Sequence, residues 1–496
     1  MSERGGTVKT DALRRRALVG GMAGAVALPQ WAHAAGKPKA LPPEGFEVEM
    51  DDASRMNRRR VDHHRILRGD ADDAAMLAAL RGELARAQAS GRPLVLGGAR
   101  HSMGAQALPS GGAAISFDDA TCIPSLAQQK YLAHAGARWH QVIARLDPLG
   151  WSPAVMQSNA DFCVAGTLSV NAHGWPAPFG PYAETVSAIR LMLADGTVLR
   201  CSRNENAELF SLVAGGYGLV GIVLDVEAQM VRNELLDPRP ELMPAARFGQ
   251  RMAQVLESDR DVRMAYGRLS VARDQFFDEA LLVTYRPVAP PVGRVPAAGA
   301  GGGLGGAVSR ELFRSQYGSE KMKQARWQLE RKHNPGRATR NTLMNEPVAN
   351  LSGRDRTLTD ILHEYFVPPE RLAEFVTACR DIIPASRQEL LNVTLRWLQP
   401  DRTSVLAYAP EARVAAVMLF SYPATAAADR AMQRMTEALV DRVLSLGGSF
   451  YLPYRLHARR DQVERAYPRA AHFAERKRHY DPHGLFRHAL WDRYFA

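Results

Sequence analysis

The chain has 496 residues, 46% of them hydrophobic and 23% charged, with a formal net charge of +11 from 63 Lys+Arg against 52 Asp+Glu. That length suits two or three domains, and the composition excludes a disordered or fibrous chain. The arginines form no aromatic-interleaved stripe, which argues against nucleic-acid binding, and Cys122, Cys163, Cys201 and Cys379 lack metal-ligand spacing, so no metal site and no disulfide framework are expected. A basic surface can attract an acidic substrate or an anionic membrane face, but scattered solvated arginines are the simpler reading.

Leu13-Arg14-Arg15-Arg16 precedes a short apolar run, Ala17 to Pro29, and the small-x-small triplet Ala32-His33-Ala34. This order of basic, apolar and cleavage regions is similar to a twin-arginine export signal over 1–34, predicting a periplasmic or secreted protein with a leader at 35–59. No apolar run reaches the roughly 20 residues that cross a bilayer, so no transmembrane segment is expected.

Next, Pro93 to Leu96 reads as a short strand ending in Gly97-Gly98-Ala99-Arg100-His101-Ser102-Met103-Gly104. Glycines let backbone N–H groups approach phosphate oxygens. Another strand-like run, Ala114 to Phe117, follows instead of a helix, so the loop is not a Rossmann fingerprint. Asp161 to Gly174 packs small and hydroxyl residues where backbone lies against something flat. Ser187 to Leu193 and Thr197 to Arg200 read as strands joined by Asp195-Gly196, and Glu208 to Val223 is again glycine-bearing.

In order and spacing these segments resemble the FAD-binding domain of the vanillyl-alcohol oxidase (PCMH-type) family, which includes aldonolactone oxidases, alditol oxidases and cytokinin dehydrogenases. The resemblance implies bound FAD: Gly97, Gly98, Ala99, Arg100, His101 and Ser102 at the diphosphate; Gly166, Thr167, Ser169, Asn171, His173 and Gly174 along the ribityl chain and ring; Gly221, Ile222 and Val223 near the adenosine. It also implies a covalent flavin link through His101, since neutral imidazole is a competent nucleophile at a pH where lysine is protonated. Cys163 lies too close to Gly166 for a second, berberine-bridge-type link and reads as a packed small hydrophobe. The implied fold is α+β: a two-subdomain FAD-binding domain over 60–235, a substrate (cap) domain over 236–470 with an antiparallel sheet covered by helices, and a segment, 471–496, returning to the FAD domain.

Within the cap, Arg263 to Val271 and Ala280 to Tyr285 read as strands, followed by a mobile Gly-rich loop over 287–306. Phe313 to Arg331 is predicted helical, a further helix starts at Pro369 to Val376, Leu391 to Leu398 and Val414 to Phe420 are strands, and Ala426 to Leu446 is a long amphipathic helix closed by Gly447-Gly448.

Alternation places Asn392, Thr394 and Arg396 on one strand face, a candidate substrate wall. The equivalent strand of aldonolactone and alditol oxidases carries Glu-x-Arg; here Thr394 replaces the glutamate, leaving the base unassigned. Glu364 is a candidate base, read as an exposed glutamate before a helix. Tyr454 and Arg455, in a segment similar to a Tyr-Leu-Pro element of cytokinin dehydrogenases, are candidates to approach the ring. The expected activity is oxidation of a CH–OH group of a small molecule (sugar, polyol, lactone or other alcohol) by hydride transfer to flavin, with oxygen, a quinone or a cytochrome as electron acceptor. Amine (CH–NH) oxidation is the alternative, disfavoured because Asp161 misses the spacing of the cytokinin dehydrogenase aspartate. A non-catalytic flavin-carrying binding protein is the third reading.

Overall fold

The computed structural model describes residues 41–69, 72–289, 293, 295–298, 310–332, 334–348, 353 and 355–496. The expected signal at 1–34 lies outside them, as does most of the Gly-rich stretch expected as a mobile loop over 287–306.

The fold is α+β, with three sheets. The first contains β1 (Gly45–Met50), β2 (Arg59–Arg68), β3 (Leu94–Leu96) and β4 (Ala113–Asp118) in the order β1-β2-β4-β3. β2 and β3 both run parallel to β4. Such a parallel arrangement needs a crossover, which the helix Asp73–Ser90 supplies. Asp72 caps its start by accepting from the Ala75 N–H, and Gly91 ends it at φ 63°, a left-handed conformation that suits glycine. Met76, Leu80, Leu84 and Ala87 recur at helical spacing and are buried against Leu94, Ile115 and Phe117. Each fully buried leucine there contributes roughly 1.5–3 kcal/mol.

β1 lies inside the stretch expected as a leader, yet it pairs with β2 and buries Val48 and Met50. Beyond it, buried Asp52 accepts from the Ala105 N–H at 2.8 Å, and the Ala53 N–H donates to Ser102 O at 3.2 Å. Residues 45–57 are therefore part of the folded unit, holding the 97–104 loop from behind. The final segment does reach the first sheet: Leu94 N–H donates to Leu485 O at 2.7 Å, and Leu485 and Phe486 share the core beneath the helix Asp73–Ser90.

The second sheet combines β5 (Cys122–Ser125), β6 (Lys130–His134), β7 (Trp151–Pro153), β8 (Val186–Met192), β9 (Val198–Ser202) and β10 (Ile222–Arg232) in the order β5-β6-β10-β8-β9, with β7 beside β10. The third is eight-stranded and antiparallel: β11 (Leu235–Pro244), β12 (Met264–Leu269), β13 (Glu279–Pro287), β14 (Ala338–Thr339), β15 (Leu358–Val367), β16 (Glu389–Leu398), β17 (Arg413–Pro423) and β18 (Ser449–Phe450), ordered β14-β11-β13-β12-β16-β17-β15-β18. The helices Leu372–Ser386 and Ala426–Ser445 pack together, and the latter buries Met432, Met435, Leu439, Val440 and Val443 on one face of β15 and β17.

The helix expected over 313–331 is interrupted. Gly318 adopts φ 66° and Ser319 caps a new start by accepting from the Met322 N–H, so the regular helix is Glu320–Glu330. The four cysteines are free and buried. Among the described residues no helix is long and apolar enough to cross a membrane.

Candidate cofactor and substrate site

A cavity of about 660 Å³ runs between the glycine loops of the first two sheets and the helix-free face of the third. One side is the 97–103 loop, Gly136, Phe162, Cys163, Gly166, Ser169, His173, Tyr217, Gly218, Gly221 and Val223; the other includes Leu362, Glu364, Asn392, Thr394, Arg396, Val417, Leu419, Tyr451 and Tyr454.

The loop is anchored at both ends. Gly97 N–H donates to Ile115 O at 2.8 Å, and Met103 N–H donates to Pro453 O at 3.0 Å. Gln106 reinforces the second anchor, donating to Leu452 O and Tyr454 O at 2.9 and 3.0 Å. Gly104 sits so close to this segment that a Cβ there would meet Tyr454 O at 2.6 Å. Between the anchors Arg100 takes φ 50°, which turns successive N–H groups to one side and forms an anion-binding concavity. Among the described residues the Gly98, Ala99 and Ser102 N–H groups have no protein acceptor, and Ser102 Oγ is buried without a partner. Arg100 is buried, and burial together with neighbouring Arg138 pushes its guanidinium down to about 10. His101 lines the cavity and packs against Phe162 in a tilted arrangement, with ring centroids 4.3 Å apart.

The opposite wall follows from register. Asn392 pairs with Leu419 and Thr394 with Val417. On the far side of β17, Leu419 pairs with Leu362 and Val417 with Glu364. Glu364, Val417 and Thr394 thus form one row, the two polar ends separated by two strand spacings, roughly 10 Å. Across the next strand Arg268 pairs with Thr394, and its Nη1 donates to Asn392 Oδ1 at 2.8 Å and Thr394 Oγ1 at 2.7 Å. Asn392 Nδ2 also donates to Thr394 Oγ1, at 3.2 Å. With two donors on its oxygen, the Thr394 hydroxyl keeps its own proton to donate into the cavity. Arg396 lies one pleat further along and donates to Ser158 Oγ.

Glu364 is buried within β15, not an exposed residue before a helix. Its Oε1 bonds His173 Nε2 and its Oε2 accepts from the Tyr454 hydroxyl at 3.0 Å. His173 Nδ1 lies 3.2 Å from Gly174 O and therefore carries hydrogen, so Nε2 and Oε1 share one further proton. The Tyr454 hydroxyl is pushed well above its ordinary value by burial and by Glu364, which keeps it a donor.

Several expected site residues lie elsewhere. Arg455 follows the bend at Tyr454 and is held outside the cavity lining by its own partners. It pairs with Asp429 at 2.6 Å and donates to Asn57 Oδ1 and Met103 O. Thr167 accepts from Trp139 Nε1 at 2.8 Å and donates to Cys163 O, fixing the helix Val164–Ser169 from behind. Asn171 ties the chain to Asp401, Ser404 and the Ala183 N–H. Ile222 faces the opposite side of β10, in the core with Leu80 and Ile115, whereas Gly221 and Val223 reach the cavity. Gly174 packs against Met156 O, 2.7 Å from where its Cβ would stand. Asp161 accepts from the Val348 N–H and is not part of the lining.

Sequence reasoning did not single out Arg268, Ser158, Tyr217 or Gly218. The available signal for Arg268 was a lone arginine inside the apolar run Met264-Ala265-Tyr266-Gly267-Arg268-Leu269.

Behind the wall, His363 alternates away from Glu364 into a buried chain of Thr436, His457 and Asp429. Burial, with His457 beside it, drives His363 well below the ordinary imidazole value. Burial alone would raise Asp429, but hydrogen bonds from His457, Arg455 and Tyr422 hold it well below the usual carboxylate range. For both groups the unfolded chain takes up a proton at higher pH than the folded one. Stability is therefore lost as pH falls, first below about 6.5 and again below about 4. Thermal midpoints measured across this range should drop on acidification, and Asp429→Asn should remove much of the drop below about pH 4. A midpoint that rises with acid would contradict these assignments.

Residues 75–202 match the family described as FAD binding domain. The chain is 33% identical over 128 residues to cytokinin dehydrogenase 2 of Arabidopsis thaliana, covering 25% of this chain and 26% of that protein. It is 31% identical over 104 residues to L-gulonolactone oxidase of Mus musculus, covering 21% and 24%. It is 27% identical over 138 residues to an uncharacterized oxidoreductase of the fasciation locus of Rhodococcoides fascians, covering 28% and 32%. The chain thus spans a third or less of the length of these relatives.

The residues present fit FAD. The cavity volume lies within the about 300–1,000 Å³ of small-molecule and cofactor sites, the N–H cradle and Ser102 Oγ offer donors for a diphosphate, and the Glu364–Thr394 row bounds the far end. Residues 75–202 of the chain are thus an FAD-binding domain, similar over that stretch to PCMH-type FAD-linked oxidoreductases such as cytokinin dehydrogenase 2 and L-gulonolactone oxidase.

Proposed function

We propose that the protein oxidises a CH–OH group of a small molecule, with FAD held along the 97–103 loop, the 163–173 segment and Gly218 to Val223. The observation that carries this reading is the single cavity that joins the amide cradle to a wall bearing both a proton acceptor and hydrogen-bond donors. When bound, FAD supplies the hydride acceptor. Glu364 takes the proton from the substrate hydroxyl, and His173 and Tyr454 hold its carboxylate in place. Thr394, Asn392 and Arg396 orient the substrate from the other end of the row, and Val417 between them keeps the floor apolar. Asp161, outside the lining, weighs against amine oxidation of the cytokinin dehydrogenase type.

His101 is the proposed point of covalent attachment, supported by its place in the cavity beside the cradle. Acid precipitation of the purified protein should leave yellow colour in the pellet, and His101→Ala should release it to the supernatant. Colour that washes out of the unaltered protein would refute the link. Export through the N-terminal arginine-bearing segment belongs to the same proposal, with oxygen, a quinone or a cytochrome as final acceptor. Anaerobic bleaching of the flavin by sugars, polyols or lactones tests the activity; if alcohols fail and amines succeed, the CH–OH assignment falls.

A further inference from the structure

Two arginines in the substrate wall, the buried Arg268 and the partly buried Arg396, have no carboxylate partner among the described residues. Arg268 is 6% exposed, and its recorded hydrogen-bond partners are the neutral Asn392 and Thr394. Arg396 donates to Ser158, also neutral. Among the described residues the Nε–H groups of both are buried with no acceptor, and neither guanidinium is in an ion pair with an acid. Glu364 and Glu346 act on Arg396 only from farther off, and Glu364 is already engaged by His173 and Tyr454. Two buried arginines elsewhere are answered within the protein: Arg326 pairs with Glu330 at 2.8 Å, and Arg340, which also lacks a carboxylate partner among the described residues, donates to the carbonyl oxygens of Ala154 and Arg263. A buried cation without a counter-charge is costly, and the arrangement is rational when a ligand brings the anion.

The carboxylates of Glu364 and Asp360 line the cavity as acceptors, but at the Arg396 end of the wall the groups facing it are donors. The Thr394 hydroxyl has its lone pairs engaged by Arg268 and Asn392 and is left to donate, and the Arg396 fork can only donate. At the open side two exposed arginines, Arg55 and Arg356, line the same cavity, with Asp355 close to Arg55.

Resting on the oxidoreductase reading above, we infer that the substrate is a hydroxy acid whose carboxylate is received by Arg396, Thr394 and Asn392, with its CH–OH carbon between that carboxylate and Glu364. Oxidation of this carbon to a carbonyl gives up a hydride to the bound FAD and the hydroxyl proton to Glu364, and the product is an oxo acid. The competing role for the cations is to balance charge on the reduced flavin alone, which requires no anionic substrate.

Holoprotein is titrated with glycolate and with gluconate, each against its neutral amide, and binding is read from the flavin absorbance. Each acid should bind roughly tenfold or more tightly than its amide. Added salt should narrow the gap, Arg396→Gln should bring the ratio close to one, and Arg396→Lys should retain part of it. Equal affinity of acid and amide, or no spectral change with either while dithionite still reduces the bound flavin, would overturn the proposal and leave the flavin reading intact. So would an Arg396→Gln protein whose acid-to-amide ratio is unchanged while its affinity for sulfite, which adds to the flavin, has fallen. A protein that carries no flavin and takes up none would instead defeat the oxidoreductase reading, and this proposal with it.

Discussion

Glu364→Gln is expected to slow anaerobic flavin reduction by a substrate about 10²- to 10⁴-fold, the usual contribution of a positioned general base. Glutamine is close in shape and can still accept from the Tyr454 hydroxyl and donate to His173 Nε2, so the wall keeps its geometry while losing the carboxylate. FAD content and spectrum should stay as in the parent protein, because the residue stands on the third sheet, away from the amide cradle. Stopped-flow absorbance under anaerobic conditions is the measurement. A reduction rate that falls less than about threefold would remove Glu364 from the mechanism. Tyr454→Phe, which deletes one hydrogen bond to the carboxylate but not the carboxylate, should cost less than Glu364→Gln.

Gly98→Ala should impair the non-covalent capture of FAD that precedes its proposed link to His101, and so lower the flavin content of the protein. A Cβ at this position would stand 2.0 Å from Cys163 Sγ and 3.2 Å from Cys163 Cβ, so the loop must withdraw from the 163–169 segment. Overpacking of this kind costs about 1–3 kcal/mol, which here corresponds to a roughly five- to hundredfold weaker hold on the cofactor as the Gly98 and Ala99 amides leave their places. Removing the obstacle should restore it. Adding Cys163→Ala leaves only the 3.2 Å approach to Cβ, and the double variant should recover much of the bound flavin measured by absorbance after desalting. A Gly98→Ala protein that keeps its full complement, or a Cys163→Ala change that rescues nothing, would show that this contact does not shape the cradle.

The alternation of Asn392, Thr394 and Arg396 was legible because strand side chains alternate with a fixed period of two, whatever lies across the sheet. Glycines before His101 were legible for a comparable local reason: the close approach of backbone to a ligand restricts which residues can stand there. Glu364 was visible as a carboxylate but not as a buried one. Its place in the wall depends on the pairing of β15, β17 and β16, in which β15 reaches β17 across 45 residues of intervening chain and β16 reaches it across 14. Arg455 was misjudged because one residue of offset separates a cavity-facing Tyr454 from a partner of Asp429. The stretch 45–57 was read as a leader because its few apolar residues carry no strong period; Val48 and Met50 gain meaning only beside Val61 and Ala114.

From the residues alone came the kinds of chemistry available: a loop able to hold a dinucleotide, a histidine within it, and a strand with three polar residues on one face. Only the assembled sheets decided which of these groups meet. Covalent order along a strand dictates which side chains share a face, but which face meets which depends on register between distant segments, and a shift of one residue would turn Glu364 to the helices and His363 to the cavity.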